Sequence, residues 1–493
     1  MAALMPLMIL FCGAFLTFLI SRLSPNKGLA GCITACVSLV LALASLAIIF
    51  VMLSSGAAVH YPVNLFYYFA AVRFDHLSLL LGFTAVTLAL MVAVYSYRYM
   101  EHDLSQDKYY PLLLIMTGAI VGLGASTDLF NMWVFFELMC VASYILVSFR
   151  KERWESLEAG FKYIVMSATG SMCVLLGIAI VFGYTGSLDL LTLKTRLMIG
   201  SGIPLAFAAV LFIAGFSVKA ALVPFHSWLP DAHSEAPSGI SAMLSGIVIE
   251  AGLFALLKTL FALYFLGLDT GSVLIVLGVI SMFFGNLMAL PQKRIKRMLA
   301  YSSIAQMGYI VLGIGIGMHY LSVAGMEGGL FHVITHAGMK GLAFLAAGAA
   351  IHYCGTVYLD DLSGLSKKMP VLALAFAVAC LGLAGVPPLS GFMSKWMIYL
   401  SGISAGGKGY LLSAFAIFNS VLSLGYYLPA INRMYSSRQS EFVASAKHPP
   451  VSVMAPLVLL ALSVLALGLW PDLGLFVVNG AVGNAYGLMG VLK

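Results

Sequence analysis

The sequence predicts an all-α polytopic membrane protein with about fourteen transmembrane helices. Three observations carry that reading. Mean hydropathy is +1.02, charged residues make up only 9% of the 493, and apolar runs of roughly 18 residues or more follow one another along the chain. A helix needs roughly 20 apolar residues to cross the hydrocarbon core. The dyad alternation of a membrane β-barrel is absent, and the short loops hold nothing that resembles a soluble catalytic domain.

Spans are expected near 3–21, 30–52, 76–97, 110–126, 128–149, 159–184, 203–229, 235–264, 270–290, 299–318, 325–353, 370–404, 410–434 and 452–475. The segment Met1 to Ile20 lacks a basic leader and a cleavage site, so it reads as a first membrane helix rather than a signal peptide. Two spans are too long and hold internal prolines: the seventh with Pro224, and the twelfth with Pro387, Pro388 and Gly391. Proline removes a backbone donor, so both helices should be broken there. The breaks lie five spans apart, which lets spans 4–8 and 9–13 be read as two five-helix units. An odd number of helices per unit makes the second inverted relative to the first. Paired interrupted helices at matching positions point to a midplane ion site. The expected division is 1–109 for the first three helices, 110–264 and 265–434 for the two units, and 435–493 for a last helix.

Charge placement sets an orientation. Loops after odd-numbered spans hold Arg22, Lys27, Arg98, Lys108, Arg150, Lys151, Arg153, Lys293, Arg294, Lys296, Arg297, Lys367, Lys368, Arg433, Arg438 and Lys447, sixteen in all. Loops after even-numbered spans hold four: Arg73, Lys194, Arg196 and Lys408. The positive-inside rule then makes the odd loops cytoplasmic and both termini external. The net charge of +7 is mostly this bias and implies no nucleic-acid partner. None of the seven cysteines forms a CxxC pair, and no nucleotide-binding glycine fingerprint appears. Zinc, iron–sulfur and dinucleotide cofactors are therefore not expected.

Against this background the buried charges stand out, because an ionised group at bilayer depth is costly and usually lines a wet path or meets a partner. Lys219 lies in the apolar run before Pro224. Burial disfavours an ammonium and a nearby carboxylate favours it, so moving the counter-charge switches protonation. Glu137, in the Phe130–Val147 run, is the natural counter-charge, although a structural salt bridge is the alternative. Glu250 sits mid-span, with Lys258 about 12 Å further along the axis, too far to pair. Lys258, nearer a helix end, fits surface snorkelling as well as a relay. His332, His336 and Lys340 share one stripe, spaced i, i+4, i+8. Histidine passes protons near neutrality, and the stripe has no carboxylate or cysteine to complete a metal site. Lys395 follows the break of span 12, with an interfacial position as its alternative. His226, Asp231, His233 and Glu235 cluster after the break of span 7, where they either cap helix ends or feed protons from a surface.

The stretches holding these residues resemble a known superfamily. Phe135-Phe136-Glu137-Leu138-Met139, the run Lys219 to His233 (KAALVPFHSWLPDAH), Glu235-Ala236-Pro237 with Ser241, Lys296 to Ser303, Thr335-His336-Ala337 with Lys340, and Gly385 to Phe392 with Lys395 are similar to antiporter-like membrane subunits of respiratory complex I. The superfamily extends to multisubunit cation/proton antiporters and group 4 membrane-bound hydrogenases, and the resemblance covers about residues 75–435. It implies fourteen core helices, with the seventh and twelfth broken. It implies that Glu137 is the helix-5 glutamate paired with Lys219 of helix 7, and that Lys340 is a central-axis lysine with His336 one turn before it. Lys395 takes the helix-12 position at the exit half-channel. One departure stands out: Glu250 occupies a helix-8 position where many members carry lysine or histidine.

The expected function is a proton-translocating subunit of a larger redox-driven respiratory or hydrogenase complex. It would hold no redox centre, sit in a bacterial or archaeal cytoplasmic membrane among lipid, and work beside other membrane subunits. The alternatives are a subunit of a multisubunit sodium/proton antiporter, with Na+ bound at Glu250 or Glu137, and a structural membrane subunit whose charges lock helices together. The expected relay is Glu137, Lys219, Glu250, His336, Lys340 and Lys395, with His226, His233, His332 and Lys258 as further members.

Overall fold

The computed structural model describes residues 2–65, 68–103, 105–197 and 202–491. Two long apolar helices come first, α1 (Met5–Leu23) and α2 (Lys27–Ser54), the second started by Asn26, whose side chain accepts from Leu29 N. Antiparallel strands β1 (Val59–Leu65) and β2 (Tyr68–Phe74) form a hairpin that no expectation covered. Next come α3 (His76–Tyr99), opened by an Asp75–Ser78 capping box, α4 (Gln106–Ala125), α5 (Leu129–Val147), capped by Asp128, and α6 (Trp154–Thr185). A short α7 (Leu190–Leu197) lies in the 186–200 loop, the last three residues of which fall outside the described ones.

The expected breaks are where the prolines are. Span 7 is α8 (Ile203–Lys219) and α9 (Trp228–Glu235), separated by a stretch with a cis Val223–Pro224 bond. Span 8 begins as α10 (Ser238–Met243), relaxes into a π turn over Leu244–Val248, and continues as α11 (Ile249–Ala262). Three long helices follow: α12 (Thr270–Ala289), α13 (Ile295–His319) and α14 (Val323–Cys354). After the short α15 (Leu365–Lys368), span 12 divides into α16 (Pro370–Ala384) and α17 (Ser390–Ala405), with a cis Pro387–Pro388 bond between them. The chain ends with α18 (Lys408–Met434), α19 (Glu441–Ser445), α20 (Val451–Leu469) and α21 (Asp472–Met489).

Among the described residues, twelve helices are long and apolar enough to cross a membrane. A thirteenth is counted if α16 is joined to the Asp360–Lys368 segment that meets it at 119°. The halves of span 7 are too short singly, so fourteen is reached only by taking α8 with α9 as one crossing. The last expected span, 452–475, is corrected: α20 stops at Leu469, and Pro471 starts α21. That last helix lies across one end of the bundle. Asn484 accepts from His76 N at the start of α3, Tyr486 donates to Gly317 O near the end of α13, and Lys194 of α7 donates to Gly487 O.

Packing is tightest between α12 and α13. Gly271, Gly278 and Gly285 recur every seven residues on one helix, and Gly308 and Gly315 do so on the other. A Cβ at Gly285 would stand 2.5 Å from Ala305 N, and one at Gly308 2.5 Å from Met282 N. Small residues let backbones touch where lipid supplies no hydrophobic drive between helices.

Candidate functional site

Both breaks open onto buried lysines. Lys219, the last residue of α8, is 1% exposed. Its Nζ donates to Ser143 Oγ at 3.2 Å and to the Tyr163 hydroxyl, and it stands 4.7 Å from the Tyr163 ring centre. Ser143 and Tyr163 bond each other at 2.9 Å. Trp228, at the start of α9, stacks on Tyr163 at 4.0 Å and donates to Val218 O at 2.8 Å, so the returning half-helix closes over the lysine. Gly252 of α11 makes room, since a Cβ there would meet Lys219 Cβ at 2.8 Å.

The Glu137–Lys219 ion pair that the resemblance implies is not formed among the described residues. Lys219 reaches Ser143, six residues and about 9 Å along α5 from Glu137. Glu137 Oε1 is buried with no hydrogen-bond partner, while Val134, Leu138 and Val141 beside it face outward.

The second break holds Lys395, also 1% exposed. Its Nζ donates to Leu383 O at 2.6 Å and to Ser420 Oγ at 3.3 Å, and lies 4.2 Å from the Tyr309 ring centre. Leu383 O also accepts from Gln306 Nε2 at 2.8 Å, and Gln306 Oε1 faces His332 Nε2 at 3.0 Å. The other nitrogen of His332 lies 2.7 Å from Ser394 Oγ. A continuous polar string therefore runs from Lys395 through Leu383 O and Gln306 to His332.

His332 and His336 are separated by 6.1 Å between ring centres. His336 Nδ1 lies 2.6 Å from Glu250 Oε1, and both side chains are fully buried. Glu250 Oε2 and His336 Nε2 have no partner. Glu250 thus forms a carboxylate–imidazole pair between α11 and α14, just after the π turn, a distortion frequent at functional sites. Lys340, two turns on from His332, instead turns to α13, donating to Leu299 O at 2.9 Å and to Ser302 Oγ. Ser303 links the same carbonyl at 2.9 Å to Ser245 Oγ of the π turn at 2.6 Å.

Lys258 does not join this string. It is 5% exposed, which removes simple snorkelling, and its Nζ donates to Gly124 O at 2.7 Å and Ser126 O at 2.8 Å. It satisfies carbonyls at the C-terminus of α4. His226 packs edge-on against Phe284 at 5.0 Å, away from the others.

The acidic residues after the first break meet the basic loops. Asp231 pairs with Lys162 at 3.0 Å and Arg297 at 3.2 Å, and Glu235 with Arg294 at 3.1 Å and Arg153 at 3.7 Å. Such rim pairs contribute little energy each but fix α9 against α6 and α13. Inside the rim, His233 is fully buried, with no partner on either ring nitrogen. It stacks at 4.6 Å on Phe344, a ring whose centre is 5.9 Å from Lys340 Nζ.

Sequence reasoning missed the neutral groups around the lysines: Ser143, Tyr163, Ser302 and Ser420 accept from them, and Gln306 shares Leu383 O with Lys395. Their signal was present as hydroxyls and one amide inside otherwise apolar spans. Among the described residues no group of three or more His, Cys, Asp or Glu could hold a metal ion.

Residues 126–423 match the family described as NADH:quinone oxidoreductase/Mrp antiporter, TM. The chain belongs to this family. The F420H2 dehydrogenase subunit N of Methanosarcina mazei is 35% identical over 410 residues, covering 81% of this chain and 82% of the relative. A Na+/H+ antiporter subunit of Alkalihalophilus pseudofirmus is 31% identical, covering 78% of each. Among solved structures, a chain of the archaeal membrane-bound sulfane sulfur reductase superposes with a TM-score of 0.88 at 26% identity, covering 99% of this chain and 98% of that one. That structure shares the multi-pass helical fold described above.

Proposed function

We propose that the chain is the proton-translocating, antiporter-like subunit of a multisubunit respiratory or hydrogenase complex in the cytoplasmic membrane. The observation that carries this is the set Lys219, Lys340 and Lys395, fully or almost fully buried, none of them ion-paired among the described residues. Each donates to hydroxyl or carbonyl oxygens. An unpaired buried cation costs several kcal/mol, and several charged at once repel through a low dielectric. Such lysines are suited to hold a proton reversibly and in alternation.

In this reading protons enter past the Asp231/Glu235 rim to His233 and Lys340, cross the Glu250–His336 pair, and leave through His332, Gln306 and Lys395. Lys219 with Glu137 forms the corresponding half in the first five-helix unit. The side bearing the basic loops is cytoplasmic and both termini are external. The sodium/proton alternative is supported by the antiporter relative. Proteoliposomes containing the assembled complex test both: proton uptake independent of sodium supports the proton relay, and uptake that needs sodium transfers the function to the antiporter class.

A further inference from the structure

A seam between α3, α14 and the start of α20 carries features that the relay does not use. At its end on the basic-loop side is a pocket of about 490 Å³, lined among others by Arg98, Glu101, His102, His352, Ser445 and Lys447. Its cations Arg98 and Lys447 face one carboxylate, Glu101, which pairs with Arg98 at 2.7 Å, so the lining keeps a net positive charge carried by Lys447. Deeper in the same seam lies an almost wholly apolar cavity of about 380 Å³, walled by Leu88, Ala337, Gly338 and Leu460 with Phe50 and Phe476 at its far end.

The two are joined by a track on α3. Val94, Met91, Leu90, Thr87 and Thr84 are half-buried or exposed on a helix whose other residues are mostly buried, and they recur at helical spacing. From Arg98 to Leu88 is about 15 Å along the axis, one leaflet of a hydrocarbon core about 30 Å thick. A basic pocket at the membrane surface continued by an apolar track one leaflet long matches one chemistry. We infer that this seam binds an anionic glycerophospholipid, its phosphate in the Arg98–Lys447 pocket and an acyl chain laid along α3 into the apolar cavity. Basic pockets between helices on the cytoplasmic side are suited to such headgroups.

The cavity wall makes the lipid relevant to the relay. Ala337 and Gly338 directly follow His336. The Leu88 side chain wedges against Gly246 of the π turn, where a Cβ would stand 2.6 Å from Leu88 Cδ2. A bound chain therefore packs against the back of the Glu250–His336 junction and keeps water from it on that side.

The test reads lipid rather than transport, so it stands apart from the fate of the proton relay. The purified assembly is equilibrated with mixed micelles of phosphatidylcholine and phosphatidylglycerol in equal parts, and retained lipid is identified by native mass spectrometry. Wild type is expected to retain phosphatidylglycerol in preference. Arg98→Gln with Lys447→Gln should lower that preference about 30-fold, equivalent to about 1 kcal/mol per lost cation. Thr87→Trp fills the track without touching the charges and should abolish retention as well. An unchanged preference in the double variant, or full retention in Thr87→Trp, overturns the proposal. So does occupation of the pocket by inorganic phosphate with no lipid retained, which would assign the site to a free anion.

Discussion

Lys219 is the last residue of α8, ahead of its break, whereas Lys395 is the sixth residue of α17, behind its own. The surroundings differ as well. Lys219 rests on two hydroxyls, Ser143 and Tyr163, and a hydroxyl can donate to a neutral amine as readily as it accepts from an ammonium. The shorter bond of Lys395 goes to Leu383 O, which only accepts, while its hydroxyl contact with Ser420 is longer at 3.3 Å. Lys395 therefore doubles as a cap for the broken end of α16. Lys219 has no such duty. The lysine of the first break is held by side-chain hydroxyls, and that of the second is tied to the backbone it stabilises.

The largest separation should come from Lys395→Met, which keeps volume and removes charge. Proton uptake by proteoliposomes should fall at least tenfold, and the assembly should also lose about 1 kcal/mol of stability because a buried carbonyl loses a donor. Lys219→Met should abolish uptake to the same extent with an unchanged thermal midpoint, since Ser143 and Tyr163 keep each other. Equal destabilisation by the two substitutions would break the comparison. A smaller effect is expected from Tyr163→Phe, which removes one of the two hydroxyls on Lys219. Uptake should slow severalfold. Glu137→Gln should reduce uptake while leaving the melting temperature within error, because Glu137 Oε1 makes no hydrogen bond to lose. A destabilised Glu137→Gln assembly would mean that this carboxylate is structural. Finally, cysteines placed in 293–297 should be labelled only from the cytoplasmic side, and ones in 186–197 only from outside. The reverse pattern would exchange uptake and exit.

Much of this comparison was legible in the sequence because proline and charge are loud inside apolar runs. Pro224 and Pro387–Pro388 mark both breaks, and Lys219, Lys340 and Lys395 declare themselves by their cost. What stayed hidden depends on tertiary contact or on weak local pattern. The 59–74 hairpin lies between hydrophobic spans, and Pro62 interrupts its strand-like run. The last helix, α21, is diluted by glycine, Asn479 and Asn484, so its hydropathy does not mark it. The π turn has no residue signature. Most of all, Glu137 and Lys219 read as a pair from sequence, yet Ser143 and Tyr163 outcompete the carboxylate for the ammonium in this arrangement. Glu250 was recognised as a departure, but its partner His336 was visible only once α11 and α14 were packed together.

The central claim is that the Glu250–His336 contact joins the two halves of one proton path. Glu250→Gln keeps the shape and a hydrogen bond to His336 but cannot pass a proton, and Glu250→Lys restores a titratable group. Proton uptake by proteoliposomes holding the intact complex should be lost in Glu250→Gln and partly retained in Glu250→Lys, with subunit composition unchanged in both. Wild-type uptake in Glu250→Gln would contradict the account and leave the pair a packing contact. Equal loss in both variants, together with loss of a sodium requirement seen in wild type, would make Glu250 a cation ligand instead.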